Sequence, residues 1–175
     1  MALLAEELVE EWLNRNGYFT IRGIKLGVHE IDLVAIRVNG TKIEARHVEV
    51  QASVHPIGSL SPLPKEIRKS TGRGSASTKT RSEQELKDGI KEWVNKKFYL
   101  EIKEKTRQKL FRGIWSFELV VHQVKFPQEL DLLREKGILI HNLDEIVASL
   151  SNGQATMIPS ASGSDLFELV MLGRE

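Results

Sequence analysis

The sequence predicts an α/β domain with a mixed central sheet flanked by helices, and three observations carry that prediction. A segment of helical period opens the chain, an Asn-Gly pair separates two alternating runs, and helices and strands then alternate up to residue 150. A two-residue hairpin makes an antiparallel strand pair and an intervening helix permits a parallel one, so one sheet holding both is expected.

Residues 3–15 place Leu4, Leu8, Val9, Trp12 and Leu13 at helical spacing with acids between them, and Gly17 is placed to end that helix. "YFTIRGI" (18–24) alternates as a strand, and "EIDLVAIRV" (30–38) is a second. Asn39-Gly40 is a hairpin signal, most simply a type I′ turn, and returns "TKIEARHVEVQAS" antiparallel as the third strand. Residues 55–82 change in texture to Pro, Gly, Ser and Thr, with Lys65, Arg68, Lys69, Arg73, Lys79 and Arg81 against the single acid Glu66. They read as a long, basic, mobile loop. From Ser82 onward, Leu86, Ile90, Trp93 and Val94 share one helical face, and "EIKEKTRQKLF" continues as a more charged helix. "IWSFELVVHQV" (114–124) is apolar on both faces and belongs inside the sheet. "PQELDLLREKG" is a helix with proline at its start and glycine at its end, "ILIHNL" a short strand and "DEIVASL" a last core helix. The expected organisation is one domain over 1–150, followed over 151–175 by a Ser/Gly/Asn linker and an apolar tail at 165–172.

A chain of 175 residues is long enough to bury a core without staples. The absence of cysteine excludes disulfides and thiolate metal sites and fits a reducing cytosol, so the expected location is cytoplasmic. No stretch approaches the roughly 20 apolar residues of a membrane span, and "MALLAEELVEEWL" carries acid rather than base, unlike a signal peptide. The net charge of +1 says little about a nucleic-acid partner; the distribution of charge matters more. The histidines show no HxxH or HxxxH spacing, which argues against a zinc site, and "GRG" at 72–74 is too short for a phosphate loop. Trp12, Trp93 and Trp115 fall on apolar faces and read as core.

The chemistry concentrates in "HVEVQAS" (47–53). Residues two apart on a strand point the same way, so Val48, Val50 and Ala52 form an apolar face while His47, Glu49, Gln51 and Ser53 line the other. A carboxylate and an amide on an otherwise core-like strand mark either a sheet edge in water or a site. Asp32 lies within the preceding, nearly apolar strand, where an acid needs a partner or a metal. The hairpin folds one strand onto the other, so Asp32 and the Glu49/Gln51 face converge across one pairing. Two carboxylates with a backbone carbonyl make an oxygen-only cradle suited to Mg²⁺, with Mn²⁺ as an alternative, and such an ion commonly acts on phosphate esters. The bland alternative is a structural pair.

"EIDLVAI…NGTKIEARHVEVQAS" resembles the catalytic hairpin of the PD-(D/E)XK nuclease superfamily, whose core is restriction-endonuclease-like. The resemblance implies that Asp32 fills the first acidic position, Glu49 the second, and Gln51 the position usually held by lysine. "LAEELVEEWLNRNGY" is similar to the first helix of archaeal Holliday-junction resolvases, which implies a further metal-site acid; Glu6 is favoured, with Glu7 as the fallback. "GILIHNLDEIVASL" resembles the closing strand and helix of Mrr-like restriction enzymes. Ile31 stands where the family has proline, and Gln51 lacks the charge a lysine would place beside the attacking water.

The resemblance therefore implies a Mg²⁺-dependent DNA endonuclease of restriction, junction-resolving or repair type. Asp32, Glu49 and Glu6 would hold the metal and Gln51 would orient water. Lys65, Arg68, Lys69, Arg73, Lys79 and Arg81 would grip the DNA backbone. Cutting both strands of a duplex implies a homodimer, with the tail at 165–172 as a candidate contact. The alternative is a catalytically inactive nuclease-fold subunit that binds DNA or protein, for which the missing lysine is the motive.

Overall fold

Five strands in the order β1-β2-β3-β4-β5 form one mixed sheet. The computed structural model describes residues 2–52, 57–75 and 81–151. Helix α1 (Ala2–Arg15) precedes an antiparallel meander of β1 (Phe19–Leu26), β2 (His29–Asn39) and β3 (Lys42–Gln51). Helices α2 (Lys65–Thr71) and α3 (Glu83–Val94), a π-helical turn (Asn95–Tyr99) and α4 (Glu101–Leu110) lead to β4 (Trp115–Val121), parallel to β3. Helix α5 (Pro127–Glu135) then crosses to β5 (Leu139–Asn142), parallel to β4, and α6 (Leu143–Ser151) follows. The expected mixed α/β sheet is present, with β4 inside it.

Local chemistry sets the element ends. Gly17, at φ +80°, closes α1: its N–H donates to the Asn14 carbonyl at 2.9 Å, and that of Tyr18 to Leu13 at 3.0 Å, the two bonds of a Schellman cap. Ser82 and Glu85 cap α3 reciprocally, an arrangement worth about 1 kcal/mol. The hairpin departs from the expected type I′ turn. Asn39 pairs with Lys42, so the turn residues are Gly40 and Thr41, and only Gly40 takes a positive φ, +61°. One positive φ at the first turn position is the type II′ pattern, and it spares β-branched Thr41 a left-handed conformation.

The two faces of β3 separate as its alternation requires. Val48 and Val50 join Leu33, Val120, Val9 and Leu13 of α1, and Ile146, Val147 and Leu150 of α6 in one core. On the opposite face, Leu119 and Val121 pack with Ile90, Trp93 and Phe98 of the α3–π-turn segment and Leu133 of α5. Each fully buried aliphatic contributes about 1.5–3 kcal/mol, and truncating Leu33, which has no exposed surface, costs about 2–5 kcal/mol.

The stretch expected to be a mobile loop is in part folded. Leu60, Ser61 and Leu63 are buried, and Lys65–Thr71 forms α2. The organiser is Glu129 of α5, which is completely buried. It accepts the N–H of Leu60 at 2.8 Å and of Ser61 at 3.2 Å, and the hydroxyls of Ser59 at 2.9 Å and Ser61 at 2.7 Å. Serines that look like linker chemistry in the sequence are donors converging on one carboxylate. Lys79, Ser53 and the tail at 165–172 lie outside the described residues. Among the described residues, no helix is long and apolar enough to cross a membrane.

Candidate active site

Strands β2 and β3 part company at Asp32. Their pairing runs from Asn39↔Lys42 to Leu33↔Val48; beyond it, β3 continues beside β4 to Gln51↔Val121 while β2 continues beside β1 to Leu26↔His29. Where the next rung would form, Asp32 Oδ2 accepts the Val50 N–H at 2.8 Å, so a side-chain oxygen satisfies the freed backbone donor. On its other side Gly23 of β1, at φ +68°, falls out of the ladder between Arg22↔Leu33 and Ile24↔Ile31. A side chain there would strain the backbone.

Glu49 emerges on the α3–α4 side of the same opening, in the middle strand of the sheet and 1% exposed. It is no edge residue. Lys97 Nζ donates to its Oε2 at 2.6 Å and lies 3.9 Å from Asp32 Oδ2, so one ammonium faces both acids. Oε1 takes Lys103 Nζ at 2.8 Å and His47 Nε2 at 2.9 Å. Arg107 lies 2.9 Å from His47 Nδ1 and donates to the Phe98 carbonyl at 2.8 Å. Because arginine can only donate, Nδ1 accepts, and the proton on Nε2 points to Glu49. Lys103 and Arg107 stand one helical turn apart on α4 and are both buried, so the inward face of this helix is cationic rather than apolar. Phe98 and Phe117 close around the His47 ring.

These contacts set the protonation states. Burial alone would raise Glu49, but the His47 N–H and the charges of Lys97 and Lys103 outweigh it and hold the carboxyl at about 2. Asp32 goes the other way: burial first and the Glu49 carboxylate second push it up to about 7, against the pull of Lys97 and the Val50 N–H. Burial lowers His47 to about 4 despite Glu49, so its ring is neutral near pH 7. Lys97 is raised: burial lowers it, but the neighbouring acids Glu49 and Asp32 more than compensate. Two acids thus sit in one opening with widely separated proton affinities, a pattern that clusters at functional sites.

Asp32 and Glu49 therefore meet, as the hairpin implies. Gln51 shares the Glu49 face, and its Oε1 is buried with no partner among the described residues. Glu6 of α1 is raised by burial and by Glu30 and feels Lys97 at longer range, but forms no ion pair within 4.0 Å among the described residues. Glu7 is engaged elsewhere, 3.1 Å from Arg22. Among the described residues no three His, Cys, Asp or Glu side chains form a group able to hold a metal ion, so Glu6 does not complete a direct triad with Asp32 and Glu49. A further buried acid, Glu118, on the opposite sheet face, accepts from Ser116 at 2.6 Å and His141 at 2.7 Å and also faces Arg46, a satisfied structural cluster.

The basic residues divide. Lys65 and Lys69 are exposed on α2, with no ion pair among the described residues. Arg68 keeps a buried Nε without a partner, and Arg73, though 2.6 Å from Glu85, keeps both Nε and Nη2 unpaired. Arg81 is structural: it donates to the Ser61 carbonyl at 2.8 Å beside Glu129.

Sequence reasoning missed Lys97, Lys103 and Arg107. For Lys97 a signal exists: it follows Trp93 by four residues and Val94 by three, which puts a lysine on the buried stripe of its helix. No match was found for this chain among protein-family models, curated proteins or solved structures.

Proposed function

We propose that the chain is a Mg²⁺-dependent DNA endonuclease that hydrolyses phosphodiester bonds, with Mn²⁺ able to substitute, on the PD-(D/E)XK plan its hairpin resembles. One observation carries the reading: Lys97 brings to Asp32 and Glu49 the positive charge that Gln51 does not supply. The donors fit a hard divalent ion, being oxygen-only, and the unpartnered Gln51 Oε1 is a further oxygen in want of a cation or water. Asp32 and Glu49 would hold the ion and Glu6 would act through water. Such an ion polarises a phosphoryl oxygen and favours an attacking hydroxide near neutral pH.

The chain's own residues supply the remainder. His47 and Lys103 fix Glu49 Oε1, leaving Oε2 toward the opening. Gln51 accepts from the attacking water and orients it. Lys97 stabilises negative charge developing on the phosphoryl group. Lys65 and Lys69, which are exposed, and the half-buried Arg68 and Arg73 contact the DNA backbone. Cutting both strands of a duplex calls for two copies, so a homodimer acting on cytoplasmic DNA belongs to the same proposal.

A second reading, a nuclease-fold subunit that binds DNA or protein without cleaving, draws on the three donors that already satisfy Glu49. Incubating the protein with plasmid and branched DNA, with Mg²⁺ and with chelator, separates the two. Cleavage that needs Mg²⁺ and is lost in Asp32→Asn supports the enzyme. Binding without cleavage at any Mg²⁺ concentration supports the subunit.

A further inference from the structure

We propose that Lys97 is a displaceable ammonium holding the position a divalent cation would take between Asp32 and Glu49, so that cation binding and lysine release are one exchange. This rests on the metal-dependent reading above and adds the regulation of that site. The two lysines on Glu49 differ in how firmly they are held. Lys103 is 2% exposed and its Nζ also donates to the Lys97 carbonyl at 2.7 Å. Lys97 is 31% exposed, and among the described residues its ammonium pairs with the two carboxylates. The oxygens divide accordingly: Oε1 is shared by Lys103 and His47, whereas Oε2 accepts from Lys97. Among the described residues, Lys97 alone therefore combines a route to solvent with a place facing both acids.

Charge supports the exchange. With both acids ionised, Lys97 and Lys103 balance them. Adding a divalent cation while Lys97 stays would leave two uncompensated positive charges in a partly buried site, which is costly. Releasing Lys97 removes one, and a phosphodiester anion brought in with the substrate removes the other. The freed ammonium, on a flexible four-carbon stem, can then reach the phosphate. In the absence of an ion, Lys97 supplies the counter-charge that Asp32 and Glu49 Oε2 share. The lysine is thus a placeholder first and a substrate contact second.

The test is Mn²⁺ binding, followed by the paramagnetic signal of free Mn²⁺ and by thermal melting, for the parent, Asp32→Asn, Lys97→Met and Lys97→Met/Asp32→Asn. Exchange predicts that Lys97→Met binds Mn²⁺ about tenfold or more tightly than the parent, since a charge some 4 Å away no longer competes, and that adding Asp32→Asn abolishes the gain. Equal or weaker binding in Lys97→Met, with Asp32-dependent binding in the parent, would overturn the placeholder and leave the metal reading standing. No Asp32-dependent binding in either protein would overturn both. The unmodified protein offers a check that does not depend on the variants folding: labelling of Lys97 by acetic anhydride, read by mass spectrometry, should rise several-fold on adding Mg²⁺. Unchanged labelling at saturating Mg²⁺ contradicts the exchange.

Discussion

Replacing Glu49 by glutamine should destabilise the fold, although loss of an unpaired site carboxylate would be expected to relieve repulsion. Glu49 is 1% exposed and satisfies Lys97, Lys103 and His47 at once, and Lys103 is itself 2% exposed. Glutamine of the same shape leaves the Lys103 ammonium buried without its counter-charge, and breaking a buried pair in this way costs about 3–5 kcal/mol. Linkage gives a similar size: a carboxyl lowered from 4.5 to about 2 corresponds to about 3 kcal/mol. Because the folded value lies below the unfolded one, this stabilisation is present above pH 4.5 and is lost as the pH falls toward 2. His47, lowered from 6.5 to about 4, acts in the same direction, since its neutral form is lost on acidification. Urea unfolding at pH 7 should show the deficit, with a melting temperature lower by roughly 6–12 °C for about 3 kcal/mol at this chain length. The difference between parent and variant should shrink below pH 4. Equal urea midpoints, or a more stable variant at pH 7, would refute the buried network as drawn.

Asp32→Asn should act oppositely. Its folded value, raised from 3.8 to about 7, means that the stability it contributes in acid is lost as the pH rises toward 7. Melting at pH 8 should favour the variant by about 1–4 kcal/mol, with little difference near pH 4 and no stabilisation by Mg²⁺; a pH-independent difference would contradict this. Glu129→Ala leaves two serine hydroxyls and two backbone N–H groups around 59–61 without their acceptor, at a cost of about 3 kcal/mol or more. Faster hydrogen exchange at residues 60 and 61 would reveal it, and unchanged exchange would not fit. Neutralising Lys65, Arg68, Lys69 and Arg73 together should weaken DNA binding and flatten its salt dependence by up to about four phosphate contacts. An unchanged salt slope would make α2 a connector.

Much of this arrangement is legible in residue pattern. The period-two alternation of "HVEVQAS" separates the Val48 and Val50 core from the Glu49 face, and the hairpin brings Asp32 across to it. The turn register was not legible, because Asn39-Gly40 and Gly40-Thr41 are both workable two-residue loops and strand pairing decides between them. The order within 57–75 was hidden for a different reason. Ser59 and Ser61 depend on a carboxylate 68 to 70 residues away, and local composition carries no trace of such a partner. Lys103 and Arg107 were hidden by their helix, whose charged sequence suggests solvent on every side until Glu49 and His47 are seen to receive its inward face. Lys97 was readable in principle, as the cation on an apolar stripe.

The most direct measurement is single-turnover cleavage of duplex and branched DNA in Mg²⁺ by the parent, Lys97→Ala, Gln51→Ala and the double variant Lys97→Ala/Gln51→Lys. If Lys97 provides the charge absent at Gln51, its loss lowers the rate by about 10²-fold or more, the scale of one transition-state donor. Lysine at position 51 then restores much of that loss from the neighbouring strand position. Gln51→Ala should fall by a similar factor. A Lys97→Ala protein as fast as the parent, or a parent inactive until Gln51→Lys is introduced, would contradict the assignment of Lys97.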